Sequence, residues 1–156
     1  MRKFTHIGSD GRAQMVDVSA KPFSKRRAIA HGSIRLQPET LDLIAKDAIA
    51  KGNVFATARI AGIQAAKQTA QLIPLCHTLP LGEIKVEIVT SNQGAQVECI
   101  AQTIGQTGVE MEALVGVTVA LLTIYDMCKA VDKEMIITEV HLVEKRKKPV
   151  RGAVMA

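Results

Sequence analysis

The sequence predicts an α+β fold in which an antiparallel sheet is covered by helices on one face. Four segments alternate apolar and polar residues, which is the pattern of strands with one buried face. Two consecutive helices are predicted between the first and second strands, and one long apolar helix between the third and fourth. The 156 residues contain no internal repeat and no linker, so we expect a single domain spanning residues 1–156.

The first strand and the two helices after it are bounded by turn residues. Between residues 25 and 36, small or apolar residues alternate with mostly polar ones. Pro38 suits the first turn of a helix, and the apolar repeat behind it predicts a helix that ends at Gly52. Asn53 can cap a second helix, which we expect to continue until Pro74 stops it.

A hairpin and a final strand complete the predicted sheet. Residues 83–90 and 95–104 alternate on either side of a turn at 91–94, and a last strand is predicted for 135–143. The order is therefore β-α-α-β-β-α-β. Counting the two consecutive helices as one connection gives the split βαβ pattern of ferredoxin-like folds. One face of such a sheet lacks helices, so we expect it to be covered by oligomerisation if it is apolar.

The most apolar stretch predicts one long, buried helix. Thr107 and Glu110 have the spacing of a capping box, and no proline interrupts the run as far as Val131. Residues 113–125 carry no charge, which predicts burial on most sides. This uncharged stretch is shorter than the roughly 20 apolar residues that a membrane span needs.

The two ends of this helix pose a geometric problem. Glu112 and Asp126 would lie about 21 Å apart, at roughly 1.5 Å per residue. Both cannot contact one small reacting centre within a single subunit. If both ends are functional, either the ligand is long or another subunit completes the site.

Composition narrows the class of protein and its partners. The net charge of +5 favours anionic partners such as phosphates, and the aromatic content of 3% disfavours stacking of bases on the protein. Three separated cysteines and a polar N-terminus without signal-peptide character predict a cytoplasmic protein. Residues 1–24 are expected to form an extended arm, and residues 145–156 a loose basic tail.

His77 lies beside Cys76 in the proline-bracketed loop PLCHTLP. A histidine in such a loop is more often a surface or packing residue than a functional one. The neighbouring cysteine suggests zinc, but zinc needs about four ligands at suitable spacing. The other His and Cys residues are scattered singly, so we predict no metal site.

Asp126 and Lys129 are three residues apart and are therefore neighbours on a helix. They form either a simple ion pair or an acid–base pair, since burial opposes charge on a lysine while pairing favours it. At the other end, Glu110 and Glu112 can accept hydrogen bonds from the amino edge of a purine or pterin. Lys51, Arg59 and Lys67 are candidate phosphate contacts, although no P-loop or dinucleotide-binding glycine motif occurs.

Three motifs, in order, resemble a known family. MVDVSAK, KGNVFATARIAGIQAAKQTAQLIPLCHTLPL and TGVEMEALVGVTVALLTIYDMCKAVDKEM are similar to the MoaC family of molybdenum cofactor biosynthesis, the cyclic pyranopterin monophosphate synthases. The similarity extends from about Thr5 to Glu144. In the family this loop commonly reads CHPL, whereas Thr78 follows His77 in this chain. The loop therefore lacks the rigidity that proline would supply, but His77 itself is retained.

The resemblance implies a hexameric, ferredoxin-like lyase, built as a trimer of dimers with active sites at subunit interfaces. The implied reaction converts 3′,8-cyclo-7,8-dihydro-GTP to cyclic pyranopterin monophosphate and pyrophosphate. Asp126 and Lys129 match the catalytic positions. The matched substrate-binding residues are Leu75, Cys76, His77, Met111 and Glu112, with Lys51 and Lys67 near the triphosphate. The resemblance implies no required cofactor, although Mg²⁺ can accompany the phosphates; neither nucleic acid nor a membrane is an expected partner.

Two other classes of protein stay open on the residues alone. A ferredoxin-like RNA- or ligand-binding module would stack bases on aromatic side chains of its sheet, but the hairpin and last strand contain no Phe, Tyr or Trp. A regulatory or structural oligomer would need Asp126 and Lys129 only as an ion pair.

Overall fold

The computed structural model describes residues 11–150 of the chain. Their secondary structure contains the four strands and three helices of the predicted order, with one extra short helix after the second of these helices. The elements are β1 (Ser24–Arg35), α1 (Pro38–Ala45), α2 (Val54–Lys67), α3 (Thr69–Leu72), β2 (Leu81–Ser91), β3 (Gly94–Gly105), α4 (Glu110–Cys128) and β4 (Ile136–Pro149).

The four strands form one antiparallel sheet in the order β2-β3-β1-β4. The second strand in sequence is thus separated from the first by the third, as the split βαβ arrangement requires. The α+β, ferredoxin-like prediction is confirmed. The hairpin turn is also where predicted. Gly94 in this turn has a φ of 146°, at which a residue with a side chain would be strained.

The helices cover one face of the sheet, and the alternation in β1 determines which face that is. Ala28, Ala30, Gly32 and Ile34 of β1 are buried, whereas the alternate residues between them are only partly buried. The buried positions face α4: a side chain at Gly32 would collide with Leu121 and Val117. The predicted buried face of β1 is therefore confirmed.

Both helices after β1 are shorter than predicted. The first ends at Ala45 rather than Gly52, because Asp47 takes a left-handed conformation, with φ of 50°. Ile49 then reaches the core from a turn rather than from a helix. In α2 the predicted cap is confirmed, since the Asn53 side chain accepts a hydrogen bond from the Ala56 amide. The helix breaks at Gln68 and resumes as α3, so the second helix is not continuous to Pro74.

The long helix α4 is a single element, but its predicted cap is wrong. Buried Val109 occupies the N-cap position, so Glu110 falls at the first helical residue and Thr107 lies outside the helix. The helix ends at Cys128 instead of near Val131. By length and composition α4 could cross a membrane, yet 56% of its apolar window is buried inside the chain, as in a core helix.

The basic C-terminal segment is also more ordered than predicted. Strand β4 continues to Pro149, and its last residues pair with the beginning of β1 from Ser24 to Ala28. Residues 145–149 of the predicted loose tail are therefore an edge strand. The rest of that tail from residue 151, and residues 1–10 of the predicted arm, lie outside the described part of the chain.

Helices α2 and α4 approach each other through two glycines. A Cβ added to Gly62 would lie 2.7 Å from the Gly116 carbonyl oxygen, and one added to Gly116 would lie 2.6 Å from the Cys99 sulfur. Neither contact leaves room for a methyl group. The pair thus lets α4 lie against both α2 and the sheet.

We expect Gly62→Ala to lower the free energy of unfolding by about 1–3 kcal/mol, the usual cost of overpacking a core. Alanine is intrinsically the better helix former by about 1 kcal/mol, but its methyl group would strike backbone rather than a movable side chain. Urea denaturation of the variant and of exposed Gln64→Ala on the same helix measures the effect. Equal stability of Gly62→Ala and the wild type would contradict this packing argument.

Candidate active site

Apart from Lys67, the predicted catalytic and substrate-binding residues gather at the two ends of α4, in two separate clusters. The helix is continuous from Glu110 to Cys128. Glu112 and Asp126 are fourteen residues apart on it, or about 21 Å along the axis. The structure therefore retains the geometric problem posed by the sequence, since one chain does not bring its two clusters together.

A cavity of about 290 Å³ lies at the N-terminal end of α4. It is bounded by the loop after α3, the start of α4 and part of the N-terminal arm. Its lining includes all five residues assigned to substrate binding at this end, namely Leu75, Cys76, His77, Met111 and Glu112. Residues distant in sequence thus form one concave, half-polar surface of a size suited to a small molecule.

Glu112 is the buried charge-bearing group of this cavity, with 4% of its surface exposed. Burial raises the pKa of its carboxyl group from 4.5 to about 7, and the nearby Glu110 carboxylate adds to the increase. Near neutral pH, Glu112 is therefore poised between a proton donor and an acceptor. Glu110 also lines the cavity and forms an ion pair with Lys145 of β4.

His77 connects the loop to the N-terminal arm. Its Nε2 atom lies 2.7 Å from the Val16 carbonyl oxygen, within hydrogen-bonding distance. When Nε2 carries a proton and donates to that oxygen, Nδ1 is the ring atom left for a ligand or a second proton. In Cys76, burial followed by the two nearby glutamates raises the pKa of the thiol, which makes it a poor nucleophile near pH 7.

The second cluster lies at the C-terminal end of α4 and contains one carboxylate between two ammonium groups. Asp126 Oδ1 is 2.7 Å from Lys129 Nζ, and Asp126 Oδ2 is 2.6 Å from Lys51 Nζ. Lys51 also donates to the Asp126 backbone carbonyl at 2.9 Å. Lys51 comes from the turn before α2, so two distant segments of the chain meet at Asp126.

These charges stabilise one another in open solvent. Hydrogen bonds from Lys129 and Lys51 lower the pKa of Asp126 to about 2, and the bond to Asp126 raises the pKa of Lys129. About half of each side chain is exposed. In the isolated chain, pairing with Asp126 therefore outweighs burial, and the pKa of Lys129 lies above its usual value. To lower the pKa of Lys129, either Lys129 would have to be buried further or Asp126 would have to move away from it.

The other two basic candidates lie in neither cluster. Lys67 borders a shallow neighbouring cavity that shares Leu79 with the main one. Arg59 donates from Nε to the Val86 carbonyl oxygen at 3.2 Å, so it ties α2 to β2. The structure thus brings Lys51 to Asp126. It leaves Lys67 beside the neighbouring cavity, and it uses Arg59 in a hydrogen bond between α2 and β2.

Several lining residues were not assigned to the site from the sequence. Val16, Val18 and Lys21 of the arm line the cavity, as do Thr107 and Gly108 before α4. The sequence did contain an indication for the arm residues, because they belong to MVDVSAK, one of the motifs that resemble the family. The arm has no apolar periodicity, however, so its docking against His77 could not be predicted from pattern.

Within residues 11–150, no group of three or more His, Cys, Asp or Glu side chains could hold a metal ion. The other two cysteines are buried, and burial raises the pKa of Cys99 to about 12 and of Cys128 to about 11. They act as small core residues.

Comparisons with known proteins agree on one family. The model of the MoaC family matches residues 15–148. A curated protein of Thermomicrobium roseum, named cyclic pyranopterin monophosphate synthase, is 51% identical over 147 residues. That alignment covers 93% of this chain and 89% of the relative, and it includes both clusters.

The raised pKa of Glu112 predicts that stability falls with pH. Between about pH 4.5 and 7 the carboxyl group ionises in the unfolded chain but stays neutral in the folded one, so the unfolded state is favoured as pH rises. At about 1.4 kcal/mol per pKa unit, the loss reaches about 3 kcal/mol above pH 7.

Urea denaturation at several pH values measures this loss. Glu112→Gln should gain stability relative to the wild type as pH rises through this window, whereas exposed Glu39→Gln should follow the wild type. A stability difference between Glu112→Gln and the wild type that does not change with pH would show that the pKa of Glu112 is the same in the folded and unfolded chains.

Proposed function

This chain belongs to the MoaC family, and we propose that it is the lyase that converts 3′,8-cyclo-7,8-dihydro-GTP to cyclic pyranopterin monophosphate with release of pyrophosphate. The reaction is a step of molybdenum cofactor biosynthesis. The observation that carries the proposal is the convergence of Asp126, Lys129 and Lys51 at one end of α4. It sets proton-transferring and phosphate-binding groups side by side.

In our mechanism the cavity at the start of α4 holds the purine-derived ring. Glu112 and Glu110 are acceptors suited to the amino edge of a purine or pterin, while Leu75 and Met111 supply apolar contacts. With a pKa of about 7, Glu112 can also exchange a proton with a ring nitrogen. His77, held against the arm, presents its second ring nitrogen to the substrate.

Lys129 acts as general acid and base while the five-membered ring opens and the pterin ring closes. A lysine does this near neutral pH only if its pKa falls. Entry of the substrate and of a second chain would bury Lys129 while its bond to Asp126 remains, and this burial lowers the pKa of the lysine against the effect of that bond. Asp126 then orients the ammonium group and receives or returns its proton.

Formation of the cyclic phosphate requires a ribose-derived hydroxyl group in line with the α-phosphorus. The hydroxyl oxygen bonds to phosphorus as the bond to the pyrophosphate oxygen breaks, and the hydroxyl proton passes to a base. Lys51 lies 2.6 Å from Asp126 and is suited to stabilise the departing charge, with Lys67 farther along the triphosphate.

The active site is shared between chains. The expected burial of α4 on most sides is incomplete, because a stripe of side chains remains exposed or partly exposed along the helix: Met111, Val115, Thr118, Leu122 and Tyr125. The Thr118 hydroxyl bonds to the Leu114 carbonyl, so its polar atom is satisfied within the helix. The stripe begins beside Glu112 and ends beside Asp126.

A second copy packed antiparallel on this stripe would bring its Asp126 end to the Glu112 end of the first. This arrangement covers apolar surface and solves the distance problem with one contact. It also accords with a hexamer built as a trimer of dimers. The stripe is the observation that supports this assembly.

The proposed enzyme requires no cofactor, since the conversion is a rearrangement with elimination and no net redox change. Mg²⁺ would enter with the substrate phosphates, as the protein's own contribution to phosphate binding is the lysine set. We assign the enzyme to the cytoplasm, with neither nucleic acid nor a membrane as a partner.

Lys129→Ala and Asp126→Ala should each stay folded and oligomeric but lose at least about 100-fold in kcat, the usual effect of removing a general acid or base. Pyrophosphate release and pterin formation from the cyclic nucleotide measure the loss. The matched control is the exposed ion pair of Asp42 and Lys46 on α1, whose alanine variants should keep wild-type turnover. Near-normal turnover in both α4 variants would refute the assignment.

Mixing two inactive variants tests the shared site. If one chain supplies Glu112 and its neighbour Asp126, hybrids of Glu112→Gln and Asp126→Ala regain intact sites, up to about a quarter of the wild-type number after random exchange. Asp126→Ala mixed with Lys129→Ala should regain none, because those two residues come from one chain. No recovery in the first mixture, despite measured subunit exchange, would place each site within a single chain.

A further inference from the structure

The positive charge of the chain is concentrated on one two-stranded segment, which we call the basic ribbon. It consists of residues 25–27 of β1 and 145–148 of β4, which are all lysine or arginine. In the antiparallel register Lys25 pairs with Lys148, Arg26 with Lys147 and Arg27 with Arg146. These three residues from β1 and four from β4 are seven of the chain's 20 basic residues.

Within residues 11–150, two carboxylates form ion pairs with the basic ribbon. Glu144 accepts from both Arg27 and Arg146, at 2.5 and 2.7 Å, and Glu110 pairs with Lys145. Setting these two carboxylates against the seven basic residues leaves an excess of five positive charges, equal to the net charge of the whole chain. The four basic residues of β4 are exposed to solvent.

The basic ribbon lies at the rim of the cavity at the start of α4. Lys145 contacts Glu110, which lines that cavity. Arg26, beside Lys147 in the register, donates to the Gln106 carbonyl at 3.1 Å, next to the lining residue Thr107. These contacts place one side of the basic ribbon beside an entrance whose own lining contains two carboxylates and one lysine.

Edge protection is the simpler explanation of lysines on β4, because charged residues deter a sheet edge from pairing with another chain. It does not account for their placement. The other edge strand, β2, mixes acidic and basic residues, and the half of β4 distant from the cavity has no lysine or arginine. The basic residues also extend onto β1, which is an interior strand.

We propose that the basic ribbon steers the nucleotide triphosphate electrostatically into the cavity. This inference rests on the proposed function and identifies what delivers its substrate. The cavity itself offers a polyanion little attraction, because its lining contains one lysine and two glutamates, whereas the field of the ribbon acts at a distance. Such fields raise association rates by roughly 10- to 1,000-fold at low ionic strength and are screened by salt. The ribbon thus acts on capture and not on chemistry.

The test neutralises three exposed ribbon residues together, in the variant Arg146→Gln/Lys147→Gln/Lys148→Gln. At low ionic strength kcat/KM should fall by about tenfold with kcat unchanged, and the difference from the wild type should vanish near 0.5 M salt. A control variant, Arg35→Gln/Lys46→Gln/Lys85→Gln, has the same net charge but loses it away from the cavity. It should keep the wild-type kcat/KM and salt dependence.

Three outcomes would overturn the proposal. The first is an unchanged kcat/KM in the ribbon variant, and aggregation of that variant would then indicate edge protection. The second is an equal loss of kcat/KM in the control variant, which would implicate net charge, and the third is tight binding of a short oligonucleotide to the ribbon at physiological salt. If the wild type does not turn over the cyclic nucleotide, the proposed function fails separately. The ribbon is then tested by stopped-flow association of a fluorescent GTP analogue, which the ribbon variant should slow by the same factor.

Discussion

The close packing of α4 against α2 and the sheet is the constraint on which the rest of this molecule depends. Gly62 and Gly116 allow the two helices to touch at backbone distance, and Gly32 of β1 makes room for Leu121 and Val117 where α4 lies on the sheet. A helix enclosed in this way is rigid and cannot bend to bring its ends together. The separation of the two clusters is therefore a consequence of core packing.

The same helix provides two different electrostatic environments at its ends. Glu112 is enclosed, and burial keeps its carboxyl group near the point of half-protonation at neutral pH. Asp126 is solvated and flanked by two ammonium groups, so it stays ionised even in acid. One end is thus suited to exchanging protons with an uncharged ring and the other to binding and neutralising phosphate. A ligand that carries both kinds of group could contact both environments if the ends of two chains meet or if the ligand is long enough to span the helix.

The sequence pattern predicted elements more reliably than it predicted their ends. Strand β1 and the hairpin follow simple alternation, because each has one face on the core. The early end of α1 at Asp47 and the N-cap at Val109 could not be predicted in this way. In both cases tertiary contacts outweighed a local preference: Ile49 and Val109 are buried, and their burial decides where each helix stops or starts. The predicted length of strand β4 was too short for a related reason. Its charged C-terminal residues lack the apolar alternation of a strand, but backbone pairing to β1 holds them in the sheet.

The sequence by itself determined the ferredoxin-like order, the family, and the residues at each end of α4, because these depend on local periodicity and on motif identity. Only the tertiary structure decided that Lys51 meets Asp126, that the arm closes on His77 and that the basic residues gather at one rim. Those contacts join segments far apart in the chain, and their distances depend on how helices pack and strands register. The tertiary structure also decided the charge state of each carboxyl group, because that state depends on burial, which no local pattern encodes.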